Sequence, residues 1–376
     1  MSSERIALWA PIPKPSSRLA RYRVLSPHAG VHVSPLQLGA MTIGDKWDKF
    51  GIGGMDQTSS FKLLDAFYES GGNFIDTANN YQDQKSEEII GEWAEERGIR
   101  DQLVIATKRG NDCHSPKGNI YRQLTSSQCT SALRASLKKL RTSYIDILYV
   151  HWWDWDTSVE EVMNGLHILV QQGKVLYLGI SDSPAWVVSK ANQYARDHGK
   201  TPFVIYQGAW NVMLRDFERD IIPMARSEGR SMLFLAVLRL PLGTSLPGGK
   251  LRSDEEEGAP PADGRERPHA STTPNWERNE TERAMSTALE KVAKEKTPYV
   301  FPIIGGRKVE HLEANLESLT ISLTTEHVKY LESIVPFDPG FPSTFIGDGK
   351  QYNHLLSHTA YVEKQPQGQP IVPDVD

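Results

Sequence analysis

Cysteine is scarce in this sequence: only Cys113 and Cys129 occur in 376 residues. Two thiols make no disulfide framework, and a reducing compartment suits them. A long apolar run is missing as well. The best one, MLFLAVLRLPL from Met232, is broken by Arg239 and Pro241 and is too short to cross a bilayer core of roughly 30 Å. The opening MSSERIALWAPIPKPSS has none of the apolar core of a secretory leader, so a cytoplasmic protein is expected. There is no excess of positive charge: 42 Lys and Arg against 47 Asp and Glu leave a net charge of -5. A nucleic-acid or membrane partner is therefore not expected. No His, Cys and carboxylate set has metal-ligand spacing, so no metal is expected, and no G-x-S-x-G elbow prepares a serine nucleophile.

What is present alternates between two hydrophobic periods. Apolar runs of strand length begin at Leu36 (LQLGAMTIG), Asn73 (NFIDTAN), Leu103 (LVIATK), Tyr144 (YIDILYVH), Val175 (VLYLGIS), Phe203 (FVIYQGA), Met232 (MLFLAVL) and Tyr299 (YVFPIIG). Near-continuous apolarity is expected of parallel strands buried on both faces. Between them lie segments of helical spacing. SSFKLLDAFYESGG puts Phe61, Leu64 and Phe67 on one stripe and supplies Gly71 as a stop. SEEIIGEWAEERG offers Ser86 as an N-cap and ends at Gly98. Eight strands alternating with helices imply an α/β fold with a parallel sheet and right-handed crossovers. A doubly wound sheet would want a glycine-rich turn after its first strand, and none is there, so a (β/α)8 TIM barrel is favoured. The expectation is one barrel domain over residues 1–376. It has an irregular insertion at about 241–279, rich in Pro, Gly and charge, and an extended tail over about 337–376.

In such a barrel chemistry belongs at the C-terminal ends of the strands. Three successive strands end in ionisable residues: Asp76 in FID, Lys108 in ATK and His151 in YVH. Tyr81 follows in the loop leaving the second strand and can curl back over the same rim. Any one of these alone is commonly a surface charge, a structural histidine or a packing tyrosine. Together they suit carbonyl reduction by hydride, which needs an acid to protonate the forming alkoxide. A free tyrosine titrates near ~10, and a nearby ammonium favours the phenolate and lowers that value. Asp76 would hold Lys108, and His151 would hydrogen-bond the carbonyl oxygen. Trp152, Trp153 and Trp155 follow His151 and are expected to wall a pocket for flat or bulky apolar carbonyls.

At these residues the chain resembles the aldo-keto reductases, and within them the fungal branch of aryl-alcohol dehydrogenases and norsolorinic acid reductases. GGNFIDTANNYQDQKSEEIIGEW, LRTSYIDILYVHWWDW, GKVLYLGISDSPAWVVSKAN and PIIGGRKVEHLEANLESL carry the likeness. The resemblance implies an N-terminal β-hairpin before the barrel and a catalytic tetrad of Asp76, Tyr81, Lys108 and His151, with Tyr81 as the acid. It implies NADPH/NADP+ as cofactor. Ser181, Asp182 and Gln207 would meet the nicotinamide carboxamide, with Asp182 standing where an asparagine is usual. Gly305 and Gly306 would let the backbone approach phosphate at a helix N-terminus. Arg307 would hold the 2′-phosphate, and His311 and Asn315 would line the adenosine end. The implied activity is reversible reduction of an aromatic or bulky apolar aldehyde or ketone, in secondary metabolism or aryl-aldehyde turnover. A regulatory subunit that binds the cofactor, or a decayed pseudo-enzyme, is the rival implication. Members of this branch carry a further outer helix where Glu295 here runs directly into Lys296, so one outer helix near residue 296 is expected to be missing.

Overall fold

A computed structural model describes residues 12–48, 54–109, 126–210, 214–228, 233–237, 301–320 and 324–347, together with Tyr352, His358, Tyr361 and Glu363. The first elements are an antiparallel hairpin, β1 (Arg23–Ser26) and β2 (Ala29–Val33). Its Leu25, Ala29 and Val33 are fully buried in one cluster with Phe74, Val104 and Phe301. Phe74 and Val104 open their strands, so the hairpin seals the N-terminal end of the barrel.

The barrel consists of β3 (Gln37–Gly39), β4 (Phe74–Asp76), β5 (Val104–Arg109), β6 (Ile145–Val150), β7 (Val175–Ser181), β8 (Phe203–Ala209), β9 (Leu233–Val237) and β10 (Ile303–Ile304). They are parallel throughout and close in the order β10-β3-β4-β5-β6-β7-β8-β9. Every residue of β4, β5 and β6 is buried, which is why those strands read as unbroken apolar runs rather than as alternation.

The outer helices are α1 (Gln57–Glu69), α2 (Lys85–Arg97), α3 (Ser126–Lys139), α4 (Val159–Gln171), α5 (Ala185–Asp197), α6 (Ile221–Ser227), α7 (Val309–Glu317) and α8 (Thr325–Ile334). Their ends follow local chemistry. Asp56 caps α1 by accepting from Ser59 N–H at 2.7 Å, and Gly71 just past its end takes φ +92°. Ser158 caps α4 through Glu161 N–H at 3.1 Å. α2 stops at Gly98 with φ +63°, as expected, but its start corrects the sequence reading. Ser86 lies inside the helix, fully buried, and its hydroxyl donates to the Ala40 carbonyl at 2.8 Å instead of capping.

Residues 336–347 include a short helix, α9 (Ser343–Ile346), and Phe337 lies under the guanidinium groups of Arg215 and Arg219, 4.9 and 5.2 Å from its ring centre. The insertion at about 241–279, the expected loss of an outer helix near residue 296 and most of the tail lie outside the described residues.

Candidate active site

The parallel register brings the strand ends to one rim. Asp76 closes β4 and is 3% exposed. Lys108 is the penultimate residue of β5, which runs one residue further than its sequence predicts. Its ammonium lies 2.5 Å from Asp76 Oδ2 and also donates to the Thr77 carbonyl at 2.9 Å. The other carboxylate oxygen accepts from Gln207 Nε2 at 3.1 Å. Burial raises the Asp76 pKa, against the pull of Lys108 and Gln207. Burial also works against the Lys108 ammonium, but Asp76 and then Tyr81 outweigh it and hold it charged.

Tyr81 sits where the loop after β4 turns into α2. The Lys108 ammonium is 5.1 Å from its ring centre and within hydrogen-bond reach of its hydroxyl. Trp47 meets the Tyr81 ring edge-on at 6.1 Å, as does His151. His151 directly follows β6, with its backbone N–H bonded to the Arg109 carbonyl at 3.0 Å. Burial, then Lys108, pushes its pKa down to about 3, so the ring is neutral across the physiological range. Lys108 thus links Asp76 to Tyr81, and His151 adjoins both Tyr81 and the Lys108 charge.

Tyr149 was not singled out from the sequence. It lies two residues before His151 and so faces the same side of β6. It is fully buried, with the Lys108 ammonium 6.0 Å from its ring. Gly179 makes room for that ring: a Cβ there would come within 2.5 Å of it. Burial, then Asp76, raises the Tyr149 pKa well above the ordinary value, so it remains a neutral wall beneath the ion pair.

Of the residues expected to hold a nicotinamide, Ser181 closes β7, buried, in register with Gln207 of β8. Asp182 is exposed and left-handed, with φ 41°, and its N–H bonds the Gln207 carbonyl at 3.1 Å. Tyr206, another residue missed from the sequence, fastens this turn. Its hydroxyl donates to the Ser183 carbonyl at 2.7 Å and accepts from Ser183 N–H at 3.0 Å. The Gln207 carbonyl oxygen Oε1 and His151 Nδ1 are buried without a hydrogen-bond partner. Two unsatisfied polar atoms on the rim fit a polar ligand there.

Gly305, Gly306 and Arg307 leave β10 and lead into α7. Gly306 is fixed to the same rim, since Thr42 Oγ1 donates to its carbonyl at 3.0 Å. Glycine is required at 306 because a Cβ would sit 2.7 Å from that of His311, whereas Gly305 faces open space. His311 Nδ1 accepts from Arg307 N–H at 3.3 Å, and burial, then Lys308 and Arg307, lowers its pKa. The Asn315 amide turns back to its own helix, donating to the His311 carbonyl at 2.8 Å.

The tryptophans divide. Trp152 lies against His151 at a tilt of 35°, with ring centres 4.5 Å apart. Trp153 is 8% exposed and packs mainly into the core. Trp155 is 69% exposed and pairs at 6.4 Å with Trp186 of α5, itself 62% exposed and not anticipated from the sequence. An open cleft of about 410 Å³ is lined by Trp152, Trp153, Trp155, Asp182 and Pro184 among others. Among the described residues no helix is long and apolar enough to cross a membrane, and no group of side chains is arranged to hold a metal ion.

A parallel (β/α)8 barrel carrying a buried Asp–Lys pair, a tyrosine and a neutral histidine on its C-terminal rim is the framework of a carbonyl oxidoreductase. The sequence model of the Aldo/keto reductase family matches residues 35–336, and the chain belongs to that family. It is 53% identical to the aryl-alcohol dehydrogenase [NADP(+)] of Phanerodontia chrysosporium, over 97% of this chain and 99% of that protein. That alignment spans 389 positions, more than the 376 residues of this chain, so the relative carries residues without a counterpart here. The chain is 47% identical to aldo-keto reductase ausK of Emericella nidulans, over 92% of this chain and 90% of that protein. It is 46% identical to norsolorinic acid reductase stcV of the same organism, over 96% of each.

Proposed function

We propose that this protein is an NADPH-dependent reductase of aromatic or bulky apolar aldehydes and ketones, reversible as an alcohol dehydrogenase. The observation that carries the reading is the Asp76–Lys108 pair beneath Tyr81 with neutral His151 alongside. When bound, the cofactor supplies hydride to the carbonyl carbon. Tyr81 holds the proton that passes from its hydroxyl to the carbonyl oxygen. The Lys108 ammonium favours the phenolate that remains, so the hydroxyl is a better acid beside it. Asp76 and Gln207 keep that ammonium in place. His151, being uncharged, offers one ring N–H to the carbonyl oxygen and fixes its direction.

Ser181, Asp182 and Gln207 would hold the carboxamide, and the bare Gln207 oxygen suits its N–H. Gly305, Gly306 and Arg307 would hold the phosphates, the guanidinium taking a 2′-phosphate with two hydrogen bonds. His311 and Asn315 would border the adenosine. Trp152 and the neighbouring cleft favour a flat substrate, in keeping with the names of the relatives, and Trp153 completes that wall. The same reading places the enzyme in the cytoplasm as one barrel domain.

The test is a panel of aryl aldehydes and aromatic ketones followed by loss of NADPH absorbance, with Tyr81→Phe beside the parent. The variant is expected to bind NADPH as the parent does while kcat falls at least ~100-fold, the scale of a lost general acid. Near-parental turnover by Tyr81→Phe would show that the acid is another group.

A further inference from the structure

The turn that delivers Tyr81 is built against ordinary backbone preference. Gln82 (φ 51°, ψ 43°), Asp83 (φ 52°, ψ 45°) and Gln84 (φ 80°) are consecutive left-handed residues, none of them glycine. Single left-handed residues are uncommon outside glycine, asparagine and aspartate, and three in a row survive only where the surroundings over-determine them. Such strain concentrates at functional sites.

The surroundings here are specific. The Gln82 side chain is fully buried and reaches the segment that follows β3. Its Oε1 accepts from the Trp47 N–H at 2.8 Å, and its Nε2 donates to the Met41 carbonyl at 2.8 Å. Asp83 adds a bond from the Trp47 indole N–H at 2.8 Å. Gly44 lets the two segments touch: at φ +121°, a Cβ there would come 2.7 Å from that of Gln82. A carboxamide offers a donor and an acceptor side by side in a single plane, which is what the Trp47 N–H and the Met41 carbonyl require. That accounts for a glutamine at a backbone position that glutamine disfavours.

We propose that Gln82 is the positioning residue of the proton donor. Its amide clasps residues 41–47 to the turn, holds the turn left-handed, and so aims the Tyr81 hydroxyl at Lys108 and the Tyr81 ring at His151. The inference rests on the reading of Tyr81 as the acid. The same clasp brings Trp47 against the Tyr81 ring, so the segment after β3 and the tetrad move as one body.

Gln82→Gly tests it, because glycine accepts the left-handed backbone freely while the amide is lost. The expected result is a kcat lowered ~10- to ~100-fold, the cost of misplacing a reacting group by about 1 Å, with the NADPH Kd within ~2-fold of the parent. The alkaline limb of the kcat profile should move to higher pH, since a hydroxyl no longer held at the ammonium is a weaker acid. A residue that only stabilises the fold would lower the melting temperature and leave that limb in place. Gln82→Glu keeps the shape and the acceptor but removes the donor to Met41, and stands in if the glycine variant fails to fold. The same loss of kcat and the same displaced limb are expected of it. A kcat within ~2-fold of the parent in the folded variant, or a lowered kcat with an unmoved limb, overturns the proposal. If Tyr81→Phe keeps its turnover, the reading of Tyr81 has failed; if it loses turnover while Gln82→Gly does not, only the clasp has failed.

Discussion

Gln207 donates an amide hydrogen to the Asp76 carboxylate at 3.1 Å across the mouth of the barrel, though 131 positions separate them in sequence. The bond leaves Asp76 with Lys108 on one oxygen and a neutral donor on the other. Replacing that donor by an acid has a definite pH signature. In Gln207→Glu two carboxylates meet where one cannot lose its proton beside the other. The pair then holds a proton in the folded state above the pKa of free glutamate, about 4.3. Folded protein binds more protons than unfolded in that window, so stability falls as pH rises through it. We expect the melting temperature of the variant, relative to the parent, to drop steadily from about pH 5 towards pH 8. An unchanged difference across that range would mean that the new side chain swings clear of Asp76.

Removing the cation should be costly in another way. Lys108→Met leaves Asp76 buried with only Gln207 for company. Breaking a buried ion pair by deleting one partner costs about 3–5 kcal/mol. Asp76→Asn combined with Lys108→Met removes both charges of the pair together. Denaturant titration should show the double variant recovering most of the lost stability while turnover stays absent. Recovery of turnover would separate the ion pair from the chemistry.

His151 sets a limit on the acid side. Its pKa is pushed down to about 3 from an ordinary 6.5, by burial and then by Lys108. Between those values the unfolded chain takes a proton that the folded one refuses. Stability therefore rises with pH across that window, by up to about 1.4 kcal/mol per pH unit, and the contribution is level above it. His151→Gln should flatten the acid side of a melting-temperature profile. A profile as steep as the parent's would assign the acid sensitivity to other groups.

Cofactor choice is expected to rest on Arg307. Arg307→Ala should weaken NADPH binding by ~10-fold or more and change NADH binding little, since the lost bonds go to the 2′-phosphate. Fluorescence titration with both nucleotides decides it, and an equal loss for both would make Arg307 a structural residue of the turn.

Much of this architecture can be read from residue types. The runs at Val175–Ser181 and Phe203–Ala209 match β7 and β8 residue for residue, because parallel strands covered on both faces read as mostly apolar runs. Asp76, Lys108 and His151 follow from strand ends alone. What the residue types leave open has physical causes. Ser86 has the chemistry of a cap, but three left-handed residues before it move the helix start upstream, and glutamine gives no sign of that conformation. Trp153 and Trp155 look alike in WWDW, yet one is buried and the other exposed, because only the turn geometry decides which ring faces inward. Trp186 meets Trp155 from a helix and Tyr206 reaches Ser183 from the next strand, contacts that local spacing does not mark. Among the described residues β10 is short: Ile303 and Ile304 pair with β3, and Ile303 with β9.

That last strand is the hoop's buckle. The barrel is fastened through Ile303 against Gln37 and Val237, and Ile304 against Leu38, while β6 and β7 are laced along nearly their whole length. Amide hydrogens at the buckle, such as that of Leu38, should exchange with solvent long before those of β6. Arg307 stands three residues beyond it, and Gly306 is tied back to Thr42 on the far side. A nucleotide gripped by Arg307 would thus pull the two lips of the seam together. Slower exchange at Leu38 on adding NADPH would report that tightening directly, and would make the cofactor a mechanical part of the ring that encloses it.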